Sequence, residues 1–239
     1  MYRWHRKIAV VTGASSGIGL AIAKSFLQKG MTVIGLARRK QEMEMHMEHE
    51  DQKKNFHALK CDVTKELEVI DAFAKIKSDF GTVQVLVNNA GLVTAGTLIE
   101  TSRSDWELVM NINVMGLMEC TKQAVLAMRE ANVEGHIINM NSIQGLQVYN
   151  TRYNMYAPSK HAVSAITKTL RKEIGDKIRV TSINPGITDT ALVRELLPHY
   201  RKPILLPEDV ADAVVYIVGT PQNVHITDLT ITPLKETRN

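Results

Sequence analysis

The stretch VVTGASSGIG at residues 10–19 decides the fold class, because it joins an apolar, β-branched run to a helical segment through a glycine-rich turn. Gly13, Gly17 and Gly19 let the backbone approach a bound group, and the N–H groups at the start of the following helix attract phosphate. Their spacing, Gly-x-x-x-Gly-x-Gly, differs from the commoner G-x-G-x-x-G pattern. The stretch predicts a pyrophosphate-binding turn, and a tight turn that merely uses glycines is the alternative.

Short apolar runs alternate with longer periodic segments along the rest of the chain. The predicted strands are residues 7–13, 32–37, 56–62, 83–89, 135–142, 178–186 and 226–233. Helical periodicity covers residues 14–30, 65–81, 104–132, 159–176 and 207–221. This alternation predicts an α/β protein, a doubly wound Rossmann domain with a seven-stranded parallel sheet and helices on both faces. Residues 1–239 contain no repeat, low-complexity tract or linker, so we expect a single domain.

The composition argues against several classes of protein. Hydrophobic residues make up 44% and charged residues 23%, as in ordinary globular domains, and no apolar run is long enough for a membrane span or a signal peptide. With only two cysteines, Cys61 and Cys120, we expect a reducing compartment, the cytoplasm. The net charge is +4, but aromatic residues make up only 5% and are not interleaved with a stripe of Lys and Arg. We therefore expect no nucleic-acid partner.

A methionine- and histidine-rich segment lies at residues 41–55. It contains Met43, Met45, Met47, His46 and His49 among acidic residues. A soft-metal site is one interpretation. A solvated amphipathic helix at the edge of the sheet is the interpretation we favour, since the acids and lysines suit a surface face. We therefore expect no metal.

Tyr156 and Lys160 form the only Tyr-x-x-x-Lys pair in the chain. In a helix this spacing places two side chains one turn apart on the same face. A free phenol has a pKa of about 10, and a neighbouring ammonium favours its phenolate form. The spacing therefore singles out this pair, and a lysine one turn away would bring the phenol closer to the pKa that an acid/base needs, but spacing alone assigns no role. The alternative is a packed phenol beside a lysine whose stem covers apolar surface.

The chain resembles the classical short-chain dehydrogenase/reductase family over essentially its whole length. The motifs that carry the resemblance are TGASSGIG at 12–19, NNAG at 88–91, Asn113 in NINVMG, Ser142 with Tyr156 and Lys160, and PGITDT at 185–190. Within the family, HIINMNSIQG at 136–145 and NMYAPSKHAV at 154–163 are similar to the branch of insect farnesol dehydrogenase-like proteins and vertebrate dehydrogenase/reductase member 11.

The resemblance implies a catalytic role for Asn113, Ser142, Tyr156 and Lys160. It makes Tyr156 the acid/base and has Lys160 also hold the nicotinamide ribose hydroxyls. Ser142 would hydrogen-bond the substrate oxygen, and Asn113 would hold a water that connects Lys160 to solvent. If the residues inserted before Tyr156 displaced the serine, Asn141 would be its substitute. Taken singly, Ser142 could be an ordinary strand-end hydroxyl and Asn113 a polar residue that bends a helix.

The resemblance also implies an NADP(H) site, whose selectivity depends on the end of the second strand. NAD-selective enzymes place an acid there, whereas this chain has Ala37 followed by Arg38 and Arg39. A guanidinium suits the 2′-phosphate of NADP(H). The alternative is that the two arginines lie in a solvated loop, and for Arg39 taken by itself we accept that interpretation. The implied cofactor contacts are Gly13, Ser15, Ser16, Gly17, Ile18, Gly19, Arg38, Arg39, Asp62, Val63, Asn89, Ala90, Gly91, Tyr156, Lys160, Pro185, Gly186, Ile187, Thr188 and Thr190.

The resemblance implies a substrate lid at residues 187–206, and in this chain that segment is short and apolar. Leu192, Val193, Leu196 and Leu197 follow helical spacing, which fits both a lid over an apolar substrate and a helix packed on its own core. The segment between Ser142 and Tyr156 supplies further apolar groups. The expected substrate contacts are Ser142, Gln144, Leu146, Tyr149, Tyr156, Leu192 and Leu196.

These observations together predict an NADP(H)-dependent oxidoreductase that interconverts an alcohol with its ketone or aldehyde. The expected substrate is lipophilic: an isoprenoid such as farnesol, a steroid or a xenobiotic carbonyl. A catalytically idle dinucleotide-binding scaffold or sensor is the alternative, and the intact set of four polar residues argues against it. The resemblance also implies a homodimer or a homotetramer.

Overall fold

A seven-stranded sheet with parallel pairing throughout forms the centre of the protein, as a computed structural model shows for residues 4–47 and 50–234. Its strands are β1 (Ile8–Thr12), β2 (Thr32–Ala37), β3 (Phe56–Lys60), β4 (Val83–Asn88), β5 (Gly135–Met140), β6 (Ile178–Pro185) and β7 (Asp228–Ile231). Their order across the sheet is β3-β2-β1-β4-β5-β6-β7. The order reverses between β1 and β4, and ligands of such sheets bind beyond the carboxyl ends of the strands at this reversal.

Helices cover both faces of the sheet, which confirms the predicted doubly wound fold. They are α1 (Gly17–Gln28), α2 (Lys40–Met45), α3 (Glu50–Asn55), α4 (Glu66–Asp79), α5 (Arg103–Met110), α6 (Leu117–Glu130), α7 (Tyr156–Glu173), α8 (Ala191–Leu196) and α9 (Pro207–Gly219). One core cluster lies under α1 and α9, and the other lies under α4, α6 and α7. Within the described part of the chain, no helix is both long and apolar enough to cross a bilayer.

Burial on both faces explains the apolar sequence of β1, whose five residues are all buried. All eight residues of β6 are buried as well, but Arg179, Thr181, Ser182 and Asn184 among them are polar and hydrogen-bonded. Strands covered on both faces are expected to be continuously apolar rather than alternating. The edge strand β7 alternates between exposed and half-buried residues, and it is shorter than the predicted 226–233. Several other strands are one or two residues shorter than predicted, and the largest boundary error falls at β7, where packing constrains the strand least.

The predicted helix at 104–132 contains a π-helical segment that its periodicity does not reveal. Helix α5 begins with a capping box between Ser102 and Asp105, and Asn111–Gly116 then forms wider π turns that lead into α6. Such turns are rare and are frequent at functional sites. Asn113 lies in this segment, so the irregular backbone coincides with a residue of the predicted site.

The methionine-rich segment forms two short helices, α2 and α3, and not the single solvated helix that the sequence predicts. Met43 and Met47 are buried in the core, whereas Met45 and His46 are exposed. His49 lies outside the described residues. Among the residues that the structure describes, no group of three His, Cys, Asp or Glu side chains is placed to hold a metal ion. Two of the three methionines therefore serve packing.

We expect Met43→Ala to lower the free energy of unfolding by about 2–5 kcal/mol, because Met43 is fully buried and its sulfur packs against Gly35. Met45→Ala is the matched control, since the Met45 side chain is 72% exposed and its loss should be nearly neutral. Urea unfolding of both variants measures the difference. Equal effects would contradict the packing role of Met43.

Candidate active site

A cleft of about 1170 Å³ opens at the carboxyl ends of the strands, beside the point where the strand order reverses. Nearly every residue that the sequence predicts for the site lines it. The two that do not are Gly19 and Asn113, which lie in the protein beneath the cleft wall. The structure also adds residues that the sequence analysis did not single out, among them Leu36, Leu92, Val93, Leu108, Ile112, Tyr153 and Tyr200. Apolar pocket residues give no sequence signal that separates them from core residues.

The glycine-rich turn is closely packed, which explains why it needs glycine. Gly13 and Gly17 have φ of +68° and +54°, a left-handed conformation that other residues adopt at a cost. A Cβ on Gly19 would lie 2.4 Å from the carbonyl oxygen of Gly13, so this glycine permits the turn without lining the cleft. The side chain of Ser16, at the start of α1, makes no capping hydrogen bond. The first N–H groups of α1 are therefore available to an anion.

The end of β4 braces this turn through Thr12, which the sequence analysis missed. The Thr12 hydroxyl accepts hydrogen bonds from the main-chain N–H groups of Asn89 and Ala90, at 3.0 and 2.9 Å. The Asn89 side-chain amide donates to the main-chain oxygens of Thr12 and Gly13, at 2.9 and 3.3 Å. Asn89 thus lines the cleft while its side chain holds the glycine turn. A threonine at the end of a buried strand carries no sequence signal for this role.

The two arginines after β2 differ in what they contact. Arg39 forms an ion pair with Glu42 at 3.1 Å and donates to the Ser15 hydroxyl at 3.4 Å. The charge of Arg38 acts on Asp62, whose carboxylate also accepts hydrogen bonds from Thr64. Burial tends to raise the pKa of Asp62, but the Thr64 hydrogen bonds and the nearby Arg38 and Lys65 lower it overall. Both arginines line the cleft, and the charge of Arg39 is already offset by Glu42.

Tyr156 and Lys160 lie on one face of α7, as their spacing predicts, and Tyr156 is the first residue of that helix. The Lys160 ammonium lies 5.6 Å from the centroid of the Tyr156 ring. Burial raises the pKa of the Tyr156 phenol, and a hydrogen bond with Ser142 acts in the opposite direction. The predicted fall of this pKa toward neutrality does not come from the protein alone, so it stays a prediction for a cofactor complex.

Lys160 is a buried cation that the sheet holds in place. Its ammonium donates to the main-chain oxygen of Met140, at the end of β5, at 2.8 Å. Burial lowers its pKa to about 8. The charge is therefore present below this lowered pKa and is lost as the pH rises through it. The site thus contains a positive charge whose strength depends on pH.

Ser142 takes the position that the sequence predicts, and Asn141 does not replace it. The Ser142 hydroxyl accepts from the N–H of Gln144 at 3.1 Å and bonds the Tyr156 phenol. The Asn141 amide instead donates to Ser164 on α7 at 2.8 Å. The residues inserted before Tyr156 therefore leave the serine beside the phenol.

Asn113 is fully engaged by other residues. Its side-chain oxygen accepts from the N–H of Leu92 at 2.8 Å, and its NH₂ group donates to the Leu92 oxygen at 2.9 Å and the Ser159 hydroxyl at 3.0 Å. The side chain thus connects the π segment to the loop after β4 and to α7. The predicted contact of Asn113 with a water stays a prediction, and its side-chain groups already have these partners.

The lid segment covers one side of the cleft without a core of its own. None of the residues of α8 is buried, and Leu192, Val193, Leu196 and Leu197 line the cleft, half-buried. The segment closes at its base, where Asp189 donates its N–H to the Leu205 oxygen at 2.7 Å. The role of this segment as a substrate lid stays a prediction.

The insert before Tyr156 forms the opposite wall. The Gln144 side-chain oxygen accepts from the N–H of Tyr149 at 3.0 Å, which holds Tyr149 at the cleft. Gly96 pairs with Tyr153 in an isolated bridge, so the insert is joined to the loop after β4. Leu146 also lines the cleft but is 52% exposed, which places it at the rim. The expected substrate contacts thus lie around one opening.

The fold and this site define a class of protein, and comparison with known families agrees. A family model described as short chain dehydrogenase matches residues 7–201, so the chain belongs to the short-chain dehydrogenase family. Among individual proteins, it is 43% identical to farnesol dehydrogenase of Aedes aegypti, with 99% of each chain covered. It is 36% identical to human dehydrogenase/reductase SDR family member 11, covering 99% of this chain and 97% of that protein.

A solved structure has the same architecture. The closed form of serine dehydrogenase complexed with NADP⁺ superposes with a TM-score of 0.89, at 29% identity and with 96% of each chain covered. The short-chain dehydrogenase fold predicted from the sequence is therefore confirmed.

Proposed function

We propose that the protein is an NADP(H)-dependent oxidoreductase that interconverts an alcohol with its ketone or aldehyde. The observation that carries the proposal is the convergence of Tyr156, Lys160 and Ser142 at one end of a cleft whose other end is a glycine-rich turn. When bound, the nicotinamide supplies the hydride donor or acceptor. An idle scaffold would have no need of a buried lysine beside a half-buried phenol.

The residues of the cleft fit a phosphorylated dinucleotide. Its pyrophosphate would lie against the N–H groups at the start of α1, where Ser16 leaves them without a side-chain cap. Gly91 lines the cleft, and a Cβ there would make only ordinary contacts with the Asn113 side-chain oxygen at 3.5 Å and the Lys160 ammonium at 3.9 Å. The 2′-phosphate would meet Arg38, with Ser15 and Arg39 beside it, and Asp62 and Val63 would contact the adenine. The remaining predicted contacts, in PGITDT, line the facing wall.

Tyr156 would give a proton to the carbonyl oxygen during reduction and take it from the alcohol during oxidation. Ser142 bonds the phenol and would also hold the substrate oxygen. Lys160 would stabilise the phenolate and bind ribose hydroxyls. Oxidation needs the phenolate, so its rate should rise with pH through the pKa of the cofactor-bound phenol. Reduction needs the phenol, so its rate should fall over the same range.

The substrate would be lipophilic, such as an isoprenoid like farnesol, a steroid or a xenobiotic carbonyl. The support is the apolar lid and insert around the reacting phenol, together with the similarity to an insect farnesol dehydrogenase. We further propose that residues 1–239 act as one domain and that the chain works in the cytoplasm as a homodimer or homotetramer. Analytical ultracentrifugation tests the oligomeric state.

We expect Tyr156→Phe to lower kcat by roughly 10²–10⁴-fold while NADPH still binds, because the ring can pack but no proton can move. NADPH oxidation across a panel of aldehydes, ketones and quinones measures turnover, and cofactor fluorescence measures binding. Tyr216→Phe is the control, since Tyr216 is 66% exposed on α9. Comparable turnover in folded Tyr156→Phe protein would refute the acid/base role.

Arg38→Ala should reduce the preference for NADPH over NADH by roughly ten- to a hundredfold, because it removes a charged hydrogen bond of about 1.5–3 kcal/mol. Arg39→Ala should have a smaller effect, since Glu42 already offsets that charge. Dissociation constants of NADPH and NADH, measured for the wild type and both variants, give this preference. An unchanged ratio of the two dissociation constants in Arg38→Ala would show that this arginine does not bind the 2′-phosphate. Equal affinities of the wild type for NADPH and NADH would contradict selectivity for NADP(H).

For a homologous series of aliphatic alcohols, kcat/KM should rise by up to about fourfold per methylene, which corresponds to about 0.8 kcal/mol of burial. Leu196→Ser, in the lid, should flatten this trend. Leu206→Ser should not, because Leu206 is 51% exposed and does not line the cleft. A series without any trend in the wild-type protein would exclude a lipophilic substrate.

A further inference from the structure

Two hydroxyl groups on α7 are bonded in the same pattern. Near the start of the helix, the Ser159 hydroxyl accepts from the Asn113 amide at 3.0 Å and donates to the main-chain oxygen of Tyr156 at 2.7 Å. Two turns later, the Thr167 hydroxyl accepts from the Asn139 amide at 2.9 Å and donates to the main-chain oxygen of Val163 at 2.7 Å. Both hydroxyl residues and both asparagines are buried.

The Ser159 bonds lie in the first turn of α7, the turn that carries the phenol. Tyr156 is the first residue of the helix, and Met155 before it provides no side-chain cap. First turns are the part of a helix that frays, because their N–H groups lack partners in the helix. The donor to Ser159 is itself fixed, since the Asn113 carboxamide also exchanges two hydrogen bonds with Leu92. Ser159 therefore ties the turn that carries the phenol to the cleft wall beside Gly91.

We propose that Ser159 is a positioning residue for the oxidoreduction: through its bonds to Asn113 and Tyr156 it fixes the phenol relative to Lys160 and Ser142. This role rests on the proposed function. Ser159 does not line the cleft and touches no reacting group. Its effect passes through the main chain of Tyr156, so the loss of its hydroxyl loosens the contacts that favour the phenolate.

Ser159→Ala and Thr167→Val form a matched pair, because each removes one buried hydroxyl that accepts from an asparagine and donates to a helix carbonyl. Both should lower the urea midpoint of unfolding. Ser159→Ala alone should reduce kcat by roughly ten- to a hundredfold, as a misplaced catalytic group does. It should also move the pH of half-maximal alcohol oxidation upward, while the NADPH dissociation constant stays within about twofold of wild type.

The positioning role is overturned if folded Ser159→Ala keeps the wild-type kcat and pH profile, or if Thr167→Val shows the same upward shift. Should Ser159→Ala fail to fold, Ser159→Cys takes its place, because a thiol forms only weak hydrogen bonds. A pH profile of Ser159→Cys that matches wild type would likewise overturn the positioning role. If the wild type is active and the Ser159 variant keeps its kcat and pH profile, the positioning role of Ser159 is contradicted and the proposed function is not. A wild type without turnover on the whole carbonyl panel contradicts the proposed function as well.

Discussion

The bond from the Lys160 ammonium to the main-chain oxygen of Met140 joins the sheet to the helix that carries the chemistry. A buried cation is costly unless it is hydrogen-bonded, and here β5 supplies the acceptor at the end of a strand whose residues are all buried. The bond ties the first turns of α7 to the end of β5. Tyr156 is one turn earlier on the same face, so the phenol lies close to this tie. A lysine at the surface would carry a charge as well, but it would not hold that charge beside the phenol.

The cleft depends on two further constraints at the strand ends. The reversal of strand order between β1 and β4 opens a space, and the glycine turn, braced by Thr12 and Asn89, forms one end of it. At the other end, the π segment places Asn113 between the loop after β4 and α7. Both ends are thus held by side chains that themselves lie partly or wholly outside the cleft. Positions that bear on the chemistry therefore extend beyond the residues that a ligand would touch.

Much of this arrangement was predictable because local sequence patterns determine it. Short β-branched and apolar runs marked the strands, so all seven were found, and the Tyr-x-x-x-Lys spacing placed Tyr156 and Lys160 on one face. The π segment was missed, because it spans only six residues, too few for the apolar periodicity to distinguish its wider turns from an α-helix. Thr12 and Ser159 were missed because their roles depend on contacts between distant segments. The burial that raises the Tyr156 pKa is likewise a property of the packed protein.

The most direct test of the account is a pH titration of the Tyr156 phenol, with and without NADP⁺, by near-ultraviolet difference absorbance. Subtracting the spectrum of Tyr156→Phe isolates this phenol from the other five tyrosines. The phenolate should form at a lower pH in the NADP⁺ complex than in the free protein, where burial raises the pKa of the phenol. The same titration midpoint in both states would contradict it.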